Sequence, residues 1–398
     1  MSLLEFRTTS SRGRAVFAAQ NIPAGTHLLV EEPLVSMPLP ESKAAVIACE
    51  RCCKPIGTIT LQAQHLVSTD VSALPLYDED DYLCGDVQCR NCCGARFCSA
   101  ECEAALAPAH CYLCKGQGKA MAAKIDRFEA HAMEHEELFL FGARFVASAL
   151  ASGANSLEPF AALCRVPFWE LDDEGVAKTN AEKREVKEAC DESRKYLLAL
   201  LAQGAEASEA GPRGGGKSTG DKAAGGKATA GGKKKAVADS ATWLSLEAWG
   251  GLLGAIRRNA ILVELSHPLR DLLPMLREWA CQTEGSREGE GVREMLEELP
   301  RPLPECLWSA VYPRISCLNH SCNHNAEVHF LDESHEGTVI ARRSIRKGEE
   351  MCISYISDSE SADVTQRRAS LRDYGFTCDC QKCELEAEWQ RRLRPRLR

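Results

Sequence analysis

The chain has 398 residues, of which 44% are hydrophobic, and carries a formal charge of −9 at pH 7. This composition is typical of a folded protein with a sizeable core in two or three structural units, and it disfavours broad nucleic-acid binding over the whole surface. Because the N-terminus lacks a basic region followed by an apolar run, and no stretch of about 18 apolar residues occurs, neither a signal peptide nor a membrane span is predicted.

The 21 cysteines are the most distinctive part of the composition, since many of them form closely spaced pairs. In a chain for which no secretory route is predicted, such pairs favour metal coordination over disulfide bonds. The sequence therefore predicts a zinc protein of the nucleus, the cytoplasm or both.

The first 48 residues are predicted to form short strands joined by turns. An apolar run, 15–18, follows a glycine turn at Arg12-Gly13-Arg14, and a second apolar run, 27–35, follows the turn 21–25.

Residues 49–114 carry eight soft ligands, enough for two tetrahedral zinc ions without an open position, which is typical of structural sites. They occur in four pairs: Cys49 and Cys52, Cys89 and Cys92, Cys98 and Cys102, and His110 and Cys114. The long polar stretch between Cys53 and Cys84 is predicted to be an insertion into one zinc loop. Four further cysteines lie close enough to replace a chosen ligand, namely Cys53, Cys84, Cys93 and Cys111.

The next part of the chain, 115–304, is predicted to be mainly helical. Apolar residues recur at helical spacing in 117–152, 174–203, 243–265 and 268–281, and a short helix is expected after the turn-rich segment 283–291. Residues 204–236 are dominated by Gly, Ala, Lys and Ser, a composition that predicts a disordered loop.

Strands are predicted to dominate from Trp308 onward, at 326–331, 337–342 and 351–355. Ahead of them lies the polar segment 314–325, which contains Asn319-His320-Ser321-Cys322. Near the C-terminus, Cys378, Cys380 and Cys383 provide three thiolates, so a zinc ion there needs a fourth ligand from elsewhere. Cys322 is the candidate.

These segments, in this order, resemble the SMYD family of lysine methyltransferases, in which a MYND zinc finger interrupts a SET domain. Residues 97–102 are similar to the MYND core, with Phe97 in place of Tyr, and 12–17 resemble the SET glycine turn, with Ala15 where the family has a second glycine. Residues 319–322, 353–355 and 374–383 resemble the cofactor motif, the catalytic strand and the post-SET zinc loop.

The resemblance implies an α+β fold: a SET β-sheet with an inserted MYND finger, a helical insert and a zinc-binding post-SET loop. The implied units are the N-terminal SET part at 1–48, the finger at 49–114, the insert at 115–304, the SET core at 305–360 and the post-SET segment at 361–398. The fifteen residues after Cys383 are too few for the C-terminal helical repeats of longer members, so the short subclass is expected.

The resemblance also implies the roles of individual residues. Tyr355 and Tyr374 are expected to be catalytic. The expected cofactor-binding residues are Arg12, Gly13, Arg14, Asn259, Ser316, Asn319, His320, Tyr355 and Phe376. In the finger, a cross-brace is implied: one zinc is held by Cys49, Cys52, Cys98 and Cys102, and the other by Cys89, Cys92, His110 and Cys114.

The activity implied is protein-lysine N-methyl transfer with S-adenosylmethionine as cofactor and three zinc ions. The expected partner is a protein with a target lysine, either a histone tail or a non-histone protein such as a ribosomal component. The alternative is a catalytically weak adaptor whose finger binds proline-rich peptides. Direct nucleic-acid binding is not expected, because no basic stripe runs through residues 49–114.

Overall fold

A computed structural model describes residues 2–393 apart from 11, 72–73, 77–80, 154–162, 164–165, 172–178, 210–238, 332–333 and 358. Most of the loop predicted at 204–236 therefore lies outside the described residues. Its first residues are helical, since the preceding helix continues to Glu209.

The strands are short and occur at both ends of the chain. They are β1 (Leu4–Thr9), β2 (Gly13–Ala18), β3 (His27–Glu31), β4 (Val35–Pro38), β5 (Gly57–Thr58), β6 (Tyr82–Cys84), β7 (Val87–Gln88), β8 (Arg96–Phe97), β9 (Ala260–Leu265), β10 (Cys306–Val311), β11 (Asn319–His320), β12 (Ala326–Phe330), β13 (Gly337–Ala341) and β14 (Glu350–Ile353).

Three small sheets combine strands from the two ends of the chain, in the orders β1-β2-β14-β11, β4-β10-β9 and β12-β13-β3. The pairings are antiparallel except for β11 and β14, which run parallel. The turn that precedes Gly25 and the turn that precedes Gly348 also meet, because Ile22 and Ile345 exchange both backbone hydrogen bonds at 2.8 Å. The two halves of the sheet region, more than 200 residues apart in sequence, thus form one unit.

The helices lie between and after these strands. They are α1 (Pro40–Ala45), α2 (Ile59–Leu66), α3 (Ala100–His110), α4 (Lys119–His135), α5 (Leu138–Ala151), α6 (Asn180–Glu209), α7 (Leu246–Asn259), α8 (Leu273–Gln282), α9 (Arg287–Glu298), α10 (Val364–Ser370) and α11 (Gln381–Leu393). None of the described helices combines the length and the apolar character needed to cross a bilayer.

Two helix predictions were wrong in extent. The segment 117–152 is broken after His135 into two helices, and the segment 243–265 is helical only as far as Asn259. Its last six residues form β9, because the β-branched and aliphatic run Ala260–Leu265 pairs with β10 over its whole length. Periodicity alone did not separate a short buried strand from a continuing helix.

Three hydrophobic cores account for most of the burial. The helices α4 to α7 share one core around Trp249 and Phe145, and the sheets share a second around Trp308 and Tyr312. The third core is formed by the insertion between Cys53 and Cys84 with the segment 269–303, which contains α8 and α9. The insertion predicted in the zinc loop therefore packs against a helical pair that lies far away in sequence.

Candidate active site and metal clusters

The polar segment 314–325, here named the Asn319 segment, is held where two parts of the sheet meet. Strand β11 pairs with β14 so that Asn319 lies opposite Cys352 and His320 opposite Ile353. The Asn319 side chain donates from Nδ2 to the Arg14 carbonyl at 3.0 Å and to Glu350 Oε1 at 2.9 Å. This segment is thereby fixed both to the strand that follows the glycine turn and to the strand that leads to Tyr355.

His320 connects the segment to the residues after β14. Its Nδ1 accepts a hydrogen bond from the Tyr355 backbone N–H at 3.0 Å, which leaves the proton on Nε2, and Nε2 lies 3.3 Å from Cys322 Sγ. Burial lowers the pKa of His320 to about 4, so the ring is neutral at pH 7. His320 therefore accepts at one nitrogen and donates toward the cysteine sulfur at the other.

The two predicted catalytic tyrosines lie against each other, with ring centroids 4.9 Å apart. The Tyr355 hydroxyl donates to the Leu318 carbonyl at 2.7 Å, and the Tyr374 hydroxyl donates to the Tyr355 carbonyl at 3.1 Å. Burial raises the pKa of Tyr355, so its hydroxyl stays protonated. Each hydroxyl donates its proton to a backbone carbonyl, so its oxygen lone pairs are available to accept a hydrogen bond from another donor.

Phe376 completes an aromatic group around His320 and Tyr355. Its ring centroid lies 6.0 Å from that of His320 and 6.3 Å from that of Tyr355, the latter in an edge-on arrangement. The Phe376 side chain is 38% exposed. An exposed aromatic ring beside the buried His320 ring and the partly buried Tyr355 ring offers a surface on which a flat heterocycle can stack.

The glycine turn lies beside this group. Gly13 has a φ of +64°, and a Cβ built on it would meet nothing within 4 Å, so open space adjoins the turn. The Arg12 guanidinium lies 2.6 Å from Asp379 and 3.7 Å from Glu350. Arg14 Nη1 donates to Cys317 Sγ at 3.2 Å. The turn thus carries two guanidinium groups next to the Asn319 segment.

Asn259 and Ser316 also lie at this site, but their polar groups contact the protein itself. Asn259 Nδ2 donates to the Ala255 carbonyl at 2.7 Å, and the Ser316 hydroxyl donates to the Asn259 carbonyl at 3.3 Å. Their roles in cofactor binding stay predictions.

Arg258, which was not predicted as a site residue, contacts the loop that carries Tyr374. Its Nη1 donates to the Tyr374 carbonyl at 2.9 Å, and it lies against Gly375, which has a φ of +74°. A Cβ at Gly375 would come within 1.9 Å of that guanidinium nitrogen. An arginine near the end of an amphipathic helix looks like a solvated residue in sequence, so no pattern marked it.

A group of four cysteine sulfurs, here named the C-terminal cluster, belongs to a small core against which Tyr355 and Tyr374 pack. The ligand atoms lie within 4.8 Å of one another and belong to Cys322, Cys378, Cys380 and Cys383. The predicted fourth ligand, Cys322, is thus in place, with its sulfur 3.5 Å from that of Cys383. A hydrogen bond from Cys378 lowers the pKa of Cys380, so a thiolate is already favoured there.

The finger contains two further groups whose ligand atoms also lie within 4.8 Å of one another. The first finger cluster is Cys49, Cys52, Cys98 and Cys102, which is the predicted set. The second finger cluster is Cys89, Cys93, His110 and Cys114. Thus the structure brings together the alternating pairs of the expected cross-brace.

The second finger cluster corrects one predicted ligand, because it uses Cys93 in place of Cys92. Cys92 is exposed and has a φ of +51°, whereas Cys93 Sγ lies 3.2 Å from His110 Nε2. In the first cluster, the residue with positive φ is Cys53, which follows the ligand Cys52. In the turn after Cys49 the residue with positive φ is the fourth, whereas in the turn after Cys89 it is the third. The second ligand is accordingly the third residue after Cys49 but the fourth residue after Cys89.

The donor sets fit zinc. A tetrahedral ion with Zn–S bonds of about 2.3 Å places its sulfurs roughly 3.8 Å apart. The observed sulfur distances are 3.8 Å for Cys322 to Cys378, 3.4 Å for Cys98 to Cys102 and 3.9 Å for Cys89 to Cys114. Closed sets of four soft ligands are typical of structural zinc.

The sequence was compared with known proteins. The pattern of the SET domain matches residues 13–356. The chain is 26% identical to protein-lysine N-trimethyltransferase SMYD5 of Gallus gallus over 401 residues, 96% of this chain and 85% of that protein. The corresponding protein of Homo sapiens is 24% identical, over 96% of this chain and 86% of its own length.

A shorter match is closer in identity. Histone-lysine N-methyltransferase ATXR2 of Arabidopsis thaliana is 33% identical over 150 residues, which is 35% of this chain and 29% of that protein. The chain thus spans less than a third of this plant relative, but most of the length of the two animal relatives.

Proposed function

This chain belongs to the SET domain family, whose pattern covers residues 13–356, and we propose that it is a protein-lysine N-methyltransferase that uses S-adenosylmethionine. The family expected from the glycine turn, the Asn319 segment and the post-SET loop is thereby confirmed. The named activities of the SMYD5 and ATXR2 relatives support the same reaction.

The observation that carries the proposal is the contact between the Asn319 segment and Tyr355. The hydrogen bond from the Tyr355 backbone to His320 Nδ1, together with the pairing of β11 and β14, ties a cofactor motif to a buried tyrosine hydroxyl. Methyl transfer needs this proximity, since nucleophile, methyl carbon and leaving sulfur must be in line.

The residues present fit the cofactor. The space beside Gly13 and the exposed ring of Phe376 suit a ligand with a flat adenine. The guanidinium groups of Arg12 and Arg14, which contact Asp379 and Cys317, provide positive charge for the carboxylate of such a ligand. When bound, S-adenosylmethionine supplies an electrophilic methyl group. Asn319 would hold the backbone against which the cofactor lies, because its amide already binds the Arg14 carbonyl.

Tyr355 would orient the lysine amine. The free amine has a pKa near ~10.4, and burial in an apolar channel lowers it toward the neutral form that can attack. Because the Tyr355 hydroxyl donates its proton to the Leu318 carbonyl, its oxygen would accept a hydrogen bond from an amine N–H. This hydrogen bond would turn the nitrogen lone pair away from the hydroxyl. A neutral hydroxyl does this without adding charge.

We further propose that three zinc ions occupy the three clusters and that the substrate is a histone tail or a non-histone protein such as a ribosomal component. A histone acceptor requires the enzyme in the nucleus, and a translation component allows it in the cytoplasm. A proline-rich peptide at the finger is a separate binding proposal.

The test is calorimetric titration of the zinc-loaded protein with S-adenosylmethionine, followed by transfer of labelled methyl to histones and to ribosomal protein. We expect micromolar binding that Asn319→Ala abolishes. Asn323→Ala is the matched control, because Asn323 lies in the same segment but is exposed. Tyr355→Phe should keep cofactor binding within a few-fold and slow transfer by about 100-fold or more, as expected for loss of a positioned catalytic group.

Absence of binding in the unmodified protein would overturn the methyltransferase proposal and favour the adaptor. Methyl transfer to histones alone, or to ribosomal protein alone, would identify the class of protein that accepts the methyl group.

A further inference from the structure

One buried arginine lies beside the C-terminal cluster and has no role in the proposed reaction so far. Arg367 belongs to α10, and its side chain is 0% exposed. A fully buried arginine is rare, because removing its charge from water is costly unless several partners compensate for it.

The partners of Arg367 fix its guanidinium against the cluster. Nη2 donates to Cys383 Sγ at 3.4 Å and to Glu386 at 2.9 Å, while Nη1 donates to the Ala362 carbonyl at 2.5 Å. The backbone contact and the carboxylate thus hold the group so that one N–H points at a ligand sulfur.

The charge of the cluster explains why a cation is useful there. Four thiolates around one Zn²⁺ give a formal charge of about −2, which is unfavourable in a buried site. A guanidinium that donates to a ligand sulfur neutralises part of that charge and orients the ligand, which is how partners of metal ligands raise affinity.

In the finger clusters too, the charge of the group that donates to a ligand sulfur depends on how many thiolates the cluster contains. The first finger cluster also has four cysteines, and Arg51 Nη1 lies 3.8 Å from Cys102 Sγ. In the second finger cluster, His110 replaces one thiolate, and the donor to Cys114 is the neutral Asn91 amide at 3.6 Å. Among the described residues, each four-cysteine cluster has a cationic donor and the histidine-containing cluster has a neutral one.

We propose that Arg367 is a positioning residue of the C-terminal metal site, which holds zinc by balancing the charge of the four thiolates through Cys383. This inference rests on the zinc occupancy proposed above. The competing explanation is that Arg367 only ties α10 to α11 through its ion pair with Glu386.

The experiment measures zinc release from the full-length protein to a chelating dye. Total zinc in the unmodified protein is measured first, so that an empty C-terminal site would count against the zinc proposal and not against Arg367. With the site filled, Arg367→Met should speed release of one zinc by about 10- to 100-fold, the usual range for partners of metal ligands. The other two zinc ions should be released as before.

Three variants separate charge balance from simple packing. Arg367→Lys keeps the charge and should recover part of the retention. Arg368→Met is the matched control, since Arg368 is the adjacent arginine and donates to the Cys378 carbonyl, and within the described part of the chain it donates to no ligand sulfur. Glu386→Gln removes the ion pair and should change release by less than about 3-fold if the sulfur contact dominates.

Equal release from Arg367→Met and the unmodified protein would overturn the proposal, as would an equally large effect of Glu386→Gln. Because Arg367→Met removes a buried group and could fail to fold, a second measurement uses the unmodified protein loaded with ¹¹³Cd. A scalar coupling between the metal and an Arg367 guanidinium proton through the N–H···S bond is expected. A loaded C-terminal site with no such coupling would contradict the proposal.

Discussion

The finger clusters and the C-terminal cluster use the same ligand chemistry but join different parts of the chain. All ligands of the finger clusters lie within residues 49–114, so their metal ions would stabilise a local unit. The C-terminal cluster takes Cys322 from the Asn319 segment and joins it to Cys378, 56 residues later. Metal binding at this second region therefore links the cofactor motif to the loop that carries Tyr374 and Phe376.

If zinc occupies the C-terminal cluster, as proposed, a closed structural site would act on the candidate active site, whereas the finger clusters would not. Metal binding at the C-terminal cluster would favour the closed candidate active site, because its ligands come from the Asn319 segment and from the loop after Tyr374. At the finger clusters, metal binding would stabilise the finger alone, because all ligands lie within residues 49–114.

The largest expected difference in methyl transfer is between a variant that lacks one ligand of the C-terminal cluster and a variant that lacks one ligand of a finger cluster. Cys380→Ser should lower the rate of methyl transfer by about 100-fold or more, to below detection, because the loop that carries Tyr374 loses a metal ligand that anchors it. Cys98→Ser in the first finger cluster should leave transfer within a few-fold. Each variant should lose one zinc of the three that the clusters could hold, measured by metal analysis. Full activity of a Cys380→Ser protein that lacks one zinc would remove the distinction between the regions.

A smaller effect is expected within the finger, where the structure chooses between neighbouring cysteines. Cys93→Ser should cost the protein one zinc and lower its melting temperature, since Cys93 Sγ faces His110. Cys92→Ser is the matched control and should keep the metal, because Cys92 is exposed. Zinc loss from Cys92→Ser alone would show that the ligand predicted from sequence is the one used.

The smallest expected effect concerns Gly375, where the loop that carries Tyr374 contacts Arg258. Gly375→Ala places a side chain at a φ of +74°, which costs about 1 kcal/mol, and the new Cβ must displace the Arg258 guanidinium. Cofactor affinity should weaken by roughly 5-fold in calorimetry, the equivalent of that energy. Gly291→Ala, in a helix with open space around it, should leave the affinity unchanged. Unchanged binding by Gly375→Ala would mean that Arg258 does not constrain the loop.

Much of the fold was accessible from sequence because its determinants are local. The glycine turn and the strands at 326–330 and 337–341 each follow from residues within a short window. The first finger cluster was expected from the family resemblance, because its ligands extend from Cys49 to Cys102. Cys322 as the fourth ligand was predicted because three thiolates demand another.

The missed features depend on backbone geometry or on distant packing. The exchange of Cys93 for Cys92 follows from a left-handed residue that spacing does not reveal. Arg258 and Arg367 resemble ordinary helix-surface arginines until the post-SET loop covers them. The end of α7 was misplaced because β9 is specified by its partner β10 and not by its own periodicity.

The pairing of β2 with β14 has a consequence for synthesis of the chain on the ribosome. Strand β2 can pair at once with β1, but its partner on the other side, β14, is available only when Glu350–Ile353 has been made. At about 5 to 20 residues per second, the first strands wait for tens of seconds before their sheet can be completed. During that interval the finger, whose ligands end at Cys114, can already take up zinc, so it is expected to be the first ordered part of the nascent chain.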